Sequence, residues 1–102
     1  MITRLVKLSF HKENMELFEN IFYSSKPLID NFSGCQSTNL FCDINHPGQY
    51  FTISYWNTEE DLENYRRSEL FITTWAKVKP LFNQKAEAWS LQGHIKFLNP
   101  DV

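Results

Sequence analysis

YFTISYWNTEEDLENYRRSELF, residues 50–71, decides the reading of this chain. Its first seven residues set Phe51, Ile53 and Tyr55 against Tyr50, Thr52, Ser54 and Trp56, the period of two that marks a strand. At Thr58 that period ends. Thr58 is a good N-cap, Asp61 stands three places later at the capping-box position, and Glu59 and Glu60 fall where the helix dipole favours negative charge. The helix continues through Leu62 and Tyr65, and Ser68 followed by Glu69 reads as a second cap. Beyond it Phe71, Trp75, Val78 and Phe82 recur at i, i+4, i+7 and i+11, with an interruption near Pro80. A strand ending on Trp56 therefore leads at once into helices of aromatic spacing, and the question is whether those rings line a pocket or only fill a core.

Outward from this stretch the same reasoning covers the rest. Residues 2–10, ITRLVKLSF, place Ile2, Arg4, Val6, Leu8 and Phe10 on one face and read as a first strand. From Lys12 the spacing of Met15, Phe18, Ile21, Phe22, Leu28, Ile29 and Phe32 predicts a helix over about 12–32. Pro27 is expected to kink or break it near Ser24-Ser25, and NFSG (31–34) to end it. CQSTNLFCDI (35–44) is a second strand, joined to residues 50–56 through the turn residues NHPGQ (45–49) as a hairpin. KAEAWSLQ (85–92) is a weaker strand signal, and residues 92–102 form a tail beyond a core of 2–91 in one domain spanning 1–102.

The order is βαββαβ, the split-βαβ plan of a ferredoxin-like α+β fold, an antiparallel sheet with both helices on one face. Phe51, Ile53 and Tyr55 make the other face apolar as well. A homodimer that stacks the two open sheet faces into one α+β barrel is the expected assembly.

Composition narrows the function. The chain has 102 residues, net charge −2, and a rich aromatic load of nine Phe, four Tyr and three Trp. Its ten Lys and Arg are scattered, so the basic footprint of a nucleic-acid binder is missing. The N-terminal stretch reaches charge before it can form a signal-peptide core, and no apolar run approaches the roughly 20 residues of a membrane span. This predicts a cytoplasmic protein without membrane partners. Cys35 and Cys42 lie about 23 Å apart on an extended strand, on opposite faces by their odd spacing, and read as reduced thiols. Zinc spacings, phosphate loops and nucleophile elbows are absent.

YFTISYW followed by NTEEDLENYRRSELF and TTW, with ITRLVKLSF ahead of a helix, is similar to the antibiotic biosynthesis monooxygenase family of small dimeric α+β barrel proteins. The resemblance covers residues 2–91, most specifically the strand ending in Trp56, the acidic cap and SELF at 68–71. It implies a group that includes cofactor-independent monooxygenases of polycyclic phenols, quinol monooxygenases, haem-degrading enzymes and a signal-molecule-processing branch, among which fold alone does not choose. The haem-degrading branch uses an Asn, a Trp and a His at positions that fall near Val6, at Tyr65 and at Trp75, so haem degradation is disfavoured. The polyketide-oxidising branch has the strand-end Trp, matched by Trp56, and an Asn four residues before it, where this chain has Thr52.

Read from the residues, Thr52, Ser54 and Trp56 face the helix layer, beneath inner helix faces that carry Phe18, Phe22, Tyr65, Phe71 and Trp75. Small hydroxyl residues below large rings leave an apolar cavity with a few polar handles, suited to a small aromatic or quinol-like ligand. Phe22, Trp56, Tyr65, Phe71 and Trp75 are the expected lining and Asn39, Thr52 and Ser54 the polar contacts, with Tyr65 and Trp56 the foremost catalytic candidates. Bases are scarce, since His11, His46 and His94 read as solvated residues. The activity that the resemblance implies is a monooxygenase needing no cofactor. The alternatives are a dimer that sequesters a small apolar metabolite in the same cavity, and an oligomerisation module with a filled interior.

Overall fold

A computed structural model describes residues 1–93. The alternating N-terminal residues form β1 (Ile2–Ser9), and a 3-10 turn at Lys12–Asn14 leads into α1 (Met15–Asp30). Phe18, Phe22 and Ile29 are the buried stripe of α1, whereas Leu28, expected on that stripe, is 61% exposed. Pro27 does not break the helix. Its ring denies a donor to the Tyr23 carbonyl, and Tyr23 and Ser24 are exposed, so water can take the place of the missing bond. The helix end is closed by Asn31, whose backbone N–H and side-chain amide both donate to the Pro27 carbonyl.

β2 (Cys35–Cys42) and β3 (Gln49–Trp56) form the hairpin. Asp43 organises its loop, accepting from the Asn45 N–H at 2.9 Å and from the Gln49 amide at 2.8 Å. Two short helices follow, α2 (Glu59–Arg66) and α3 (Glu69–Val78). The Thr58 hydroxyl accepts from the Asp61 N–H at 3.1 Å and the Ser68 hydroxyl from the Phe71 N–H at 3.2 Å, as both capping signals predict. Phe82 is not on the second helix: the chain passes through a 3-10 turn at Lys79–Leu81, and Phe82 pairs instead with Phe10 beyond the end of β1. β4 (Glu87–Leu91) completes a four-stranded antiparallel sheet of order β2-β3-β1-β4, the ferredoxin-like α+β topology.

Register sorts the strand residues between two faces. On the helix side one row runs Thr38, Ser54, Arg4, Ser90 and the next Leu40, Thr52, Val6, Ala88. On the open side Asn39, Ile53, Leu5 and Trp89 form a row. One residue breaks the parity of β2. Cys35 pairs with Trp56 but Ser37 with Tyr55, so Gln36 is an extra residue at a bulge. The two cysteines therefore lie on the same face, not on opposite ones, and both are free thiols. Among the described residues no helix is long and apolar enough to cross a membrane.

The core between sheet and helices is divided. Leu8, Phe10, Phe18, Phe22, Tyr50 and Val78 form one buried cluster, and Ile29, Trp56 and Leu62 another.

Candidate functional site

Between those clusters lies a cavity of about 340 Å³, within the size range of small-ligand sites. Its floor is the inner face of the sheet, where Thr52, Ser54, Ala86 and Ala88 are too short to reach the helices above. Phe22 of α1, Tyr65 of α2, and Phe71 and Trp75 of α3 wall it, with Trp56 closing one end. An interior filled to capacity, as a bare oligomerisation module would have, is not what the fold contains.

The aromatic wall is continuous. Tyr65 stacks on Trp56 with ring centroids 4.9 Å apart and planes 26° apart. Phe71 meets Tyr65 edge-on at 5.3 Å, and Trp75 stacks on Phe71 at 5.8 Å and 11°. These offset and edge contacts lock the rings in place, so the wall is preorganised for a flat ligand.

The polar groups differ in what they have free. Trp56 is fully buried and its indole N–H donates to the Ser54 hydroxyl at 3.0 Å. Ser54 keeps its own proton to give. Thr38 also lines the cavity, but its N–H and hydroxyl both donate to Asp30, at 2.8 and 2.7 Å. Tyr65 is different: burial, and then the nearby Cys35, push its phenol well above the ordinary tyrosine range, with no hydrogen bond opposing them. It stays a neutral O–H donor in the cavity wall, and cannot serve as a base near neutral pH.

Seven of the eight expected contact residues, Phe22, Thr52, Ser54, Trp56, Tyr65, Phe71 and Trp75, come together on this cavity. Asn39 does not. It stands opposite Ile53 on the open face, where its amide donates to the Ile53 carbonyl at 3.2 Å and the Ser37 hydroxyl at 3.3 Å. A polar residue inside a sheet is legible from sequence, but which face it takes depends on the hairpin register, which sets Asn39 opposite Ile53. His11 and His46 are exposed and away from the cavity, and His94 lies outside the described residues.

The lining residues that the sequence reading missed include two cations, Arg4 and Arg66. Arg4 had a visible signal, a charge in the middle of the apolar face of β1. Its guanidinium donates to the Ser90 hydroxyl at 3.0 Å, while Arg66 pairs with Glu63 at 2.8 Å. Burial first, and then repulsion from Arg66, lower the Arg4 pKa from its ordinary value, against an opposing pull from Glu63. Among the described residues no carboxylate or imidazole lines the cavity, and no cluster of three or more His, Cys, Asp or Glu is placed to hold a metal ion.

With fold and cavity defined, comparison with known proteins becomes specific. No curated protein matches the chain in sequence. Among solved structures it is similar to an antibiotic biosynthesis monooxygenase at 15% identity, covering 91% of this chain and 98% of that one with a TM-score of 0.84. It is also similar to a conserved protein from Methanosarcina mazei Go1, at 18% identity over 90% and 92% of the two chains with a TM-score of 0.84. A mutant of SnoaB, a cofactor-independent oxygenase from Streptomyces nogalater, aligns at 15% identity over 91% and 92% with a TM-score of 0.80. At these identities the likeness is one of fold. The sequence profile of one family, described as antibiotic biosynthesis monooxygenase, matches residues 1–77 of the 102, and the chain belongs to that family.

Proposed function

We propose that this protein is a cofactor-independent monooxygenase that oxidises a small aromatic or quinol-like compound with dioxygen. The observation that carries the reading is the Tyr65 phenol, stacked on Trp56 at 4.9 Å and held neutral beside an aromatic-walled cavity. SnoaB, which shares the fold, is a cofactor-independent oxygenase, and that supports the same reading here.

The chemistry asks little of the protein. An ionised phenol is electron-rich enough to reduce dioxygen directly. One oxygen atom becomes a new ring carbonyl, and the other leaves as water with the two hydrogens lost from the phenol O–H and the ring C–H. No outside reductant enters this balance. The protein excludes water, stacks the ring, and offers Tyr65 and Ser54 as donors to the oxygen that gains charge.

We further propose a homodimer closed through the open sheet face, which carries Leu5, Phe51, Ile53 and Trp89, and a cytoplasmic location in keeping with two free thiols. A second reading, a dimer that sequesters an aromatic metabolite, is favoured by the lack of a carboxylate or imidazole among the described lining residues. Isotope labelling separates the two. Under ¹⁸O₂ the oxygenase reading expects one labelled atom in the quinone product; a ligand recovered unchanged from the protein means sequestration.

A further inference from the structure

We infer that the cavity takes an aromatic ligand bearing an oxyanion, a carboxylate or an ionised hydroxyl, and that Arg4 and Arg66 hold that oxyanion. The inference deepens the reading above and rests on it only in treating the cavity as a ligand site.

Arg4 is the first reason. It occupies the middle of β1 on the helix side, between Ile2 and Val6 and in register with Ser54 and Ser90. A half-buried guanidinium on an otherwise apolar strand face is costly unless an anion answers it. Here its hydrogen-bond partner is the neutral Ser90 hydroxyl, and it takes part in none of the ion pairs among the described residues. The second reason is Arg66, which brings another guanidinium to the same cavity from the last turn of α2. Glu63 is the acidic group that acts on both arginines, and it is already bonded to Arg66. Two cations facing one cavity against one carboxylate leave a positive excess. Burial and mutual repulsion both depress the Arg4 pKa, a loss that an incoming anion reverses.

The rest of the lining fixes the other half of the ligand. The walls are aromatic and aliphatic and the free polar groups are hydroxyl donors, so the body of the occupant is a flat apolar ring system. A guanidinium fork matches a carboxylate through two parallel N–H donors and accepts a single phenolate oxygen equally well in charge. The same pair of cations lowers the pKa of a bound hydroxyl and so supplies the ionisation for which the described lining holds no base.

The test is calorimetric titration of the wild-type protein with 2-naphthoate, its neutral isostere 2-naphthamide, and 2-naphthol, the last also followed by absorbance. Naphthoate is expected to bind about tenfold or more tightly than naphthamide. Arg4→Gln should erase that preference while leaving naphthamide affinity unchanged. Arg66→Gln, at an exposed position, should reduce it and serves if Arg4→Gln does not fold. Binding of naphthol with the absorbance of naphtholate identifies the ionised hydroxyl as a second accepted form. Equal affinity for naphthoate and naphthamide, with naphthol bound unionised, overturns the oxyanion site and leaves the cavity as a ligand site. Failure of all three to bind overturns both.

Discussion

Tyr65 and Cys35 share a corner of the second core cluster, and each is driven toward its protonated form by it. Burial and then the Asp30 charge push the Cys35 thiol from 9.0 up to about 11, and burial and then Cys35 push Tyr65 up as well. Both groups keep their protons to higher pH in the folded chain than in the unfolded one. The unfolded state therefore releases protons first, and these two groups make stability fall across pH 9–11 while leaving it level below about pH 8. Urea midpoints at pH 8 and pH 10.5 should show the fall, and Cys35→Ala should shrink it; an unchanged difference in the variant would remove Cys35 from the account. Trp56 serves less well as a probe of chemistry. Being fully buried, Trp56→Ala costs about 3–5 kcal/mol and reports on folding. At this scale the aromatic lining was legible because ring spacing reveals a buried face. Arg4 was visible too, but hydrophobic alternation treats one charge as noise, and only the register with Ser54 and Ser90 shows that it faces the cavity.

Local signals placed the caps and strands correctly, although Pro27, another local signal, does not break α1. The caps at Thr58 and Ser68 place α2 and α3, because a cap is a contact between residues three apart. Long-range contacts set what was missed. The Gln36 bulge alters the parity of β2 and brings Cys35 to the face of Cys42, the pairing with Ile53 puts Asn39 on the open face, and Phe82 leaves the helical path to meet Phe10. Gly34, at the turn between α1 and β2, shows how tightly that turn is built. It has φ +85°, a left-handed conformation, and a Cβ there would collide with the Asp61 side chain on α2. Gly34→Ala should therefore destabilise the fold by more than about 1 kcal/mol, read as a shift in denaturant midpoint at constant slope. A neutral result would mean that α2 can retreat from the turn at no cost, which would also loosen Tyr65.

The described residues present two apolar surfaces of different kinds, a partly enclosed one beneath the helices and an open one behind the sheet. The row Ile53, Leu5, Trp89 crosses the open side, and Phe41 and Trp89 are 52% and 42% exposed. Such a face is larger than the scattered apolar residues a monomer tolerates. Ile53→Asp places a charge at its centre and should convert a particle of twice 12.1 kDa into one of 12.1 kDa in light scattering; a wild-type protein already monomeric would remove the dimer. Fold order and family were legible from the sequence at this scale because strand and helix periods alternate so clearly. A cavity was an inference from small residues opposite large ones, and its volume and cationic groups emerge only once the helices are placed. The measurement that tests the central proposal most directly is oxygen uptake by protein freed of metal and flavin, with a panel of quinols and polyphenols, for the wild type and Tyr65→Phe. The account predicts substrate-dependent uptake that falls about 10²-fold in the variant while ligand binding persists. Ligand binding with no uptake above the protein-free rate, or uptake unchanged in Tyr65→Phe, would contradict it.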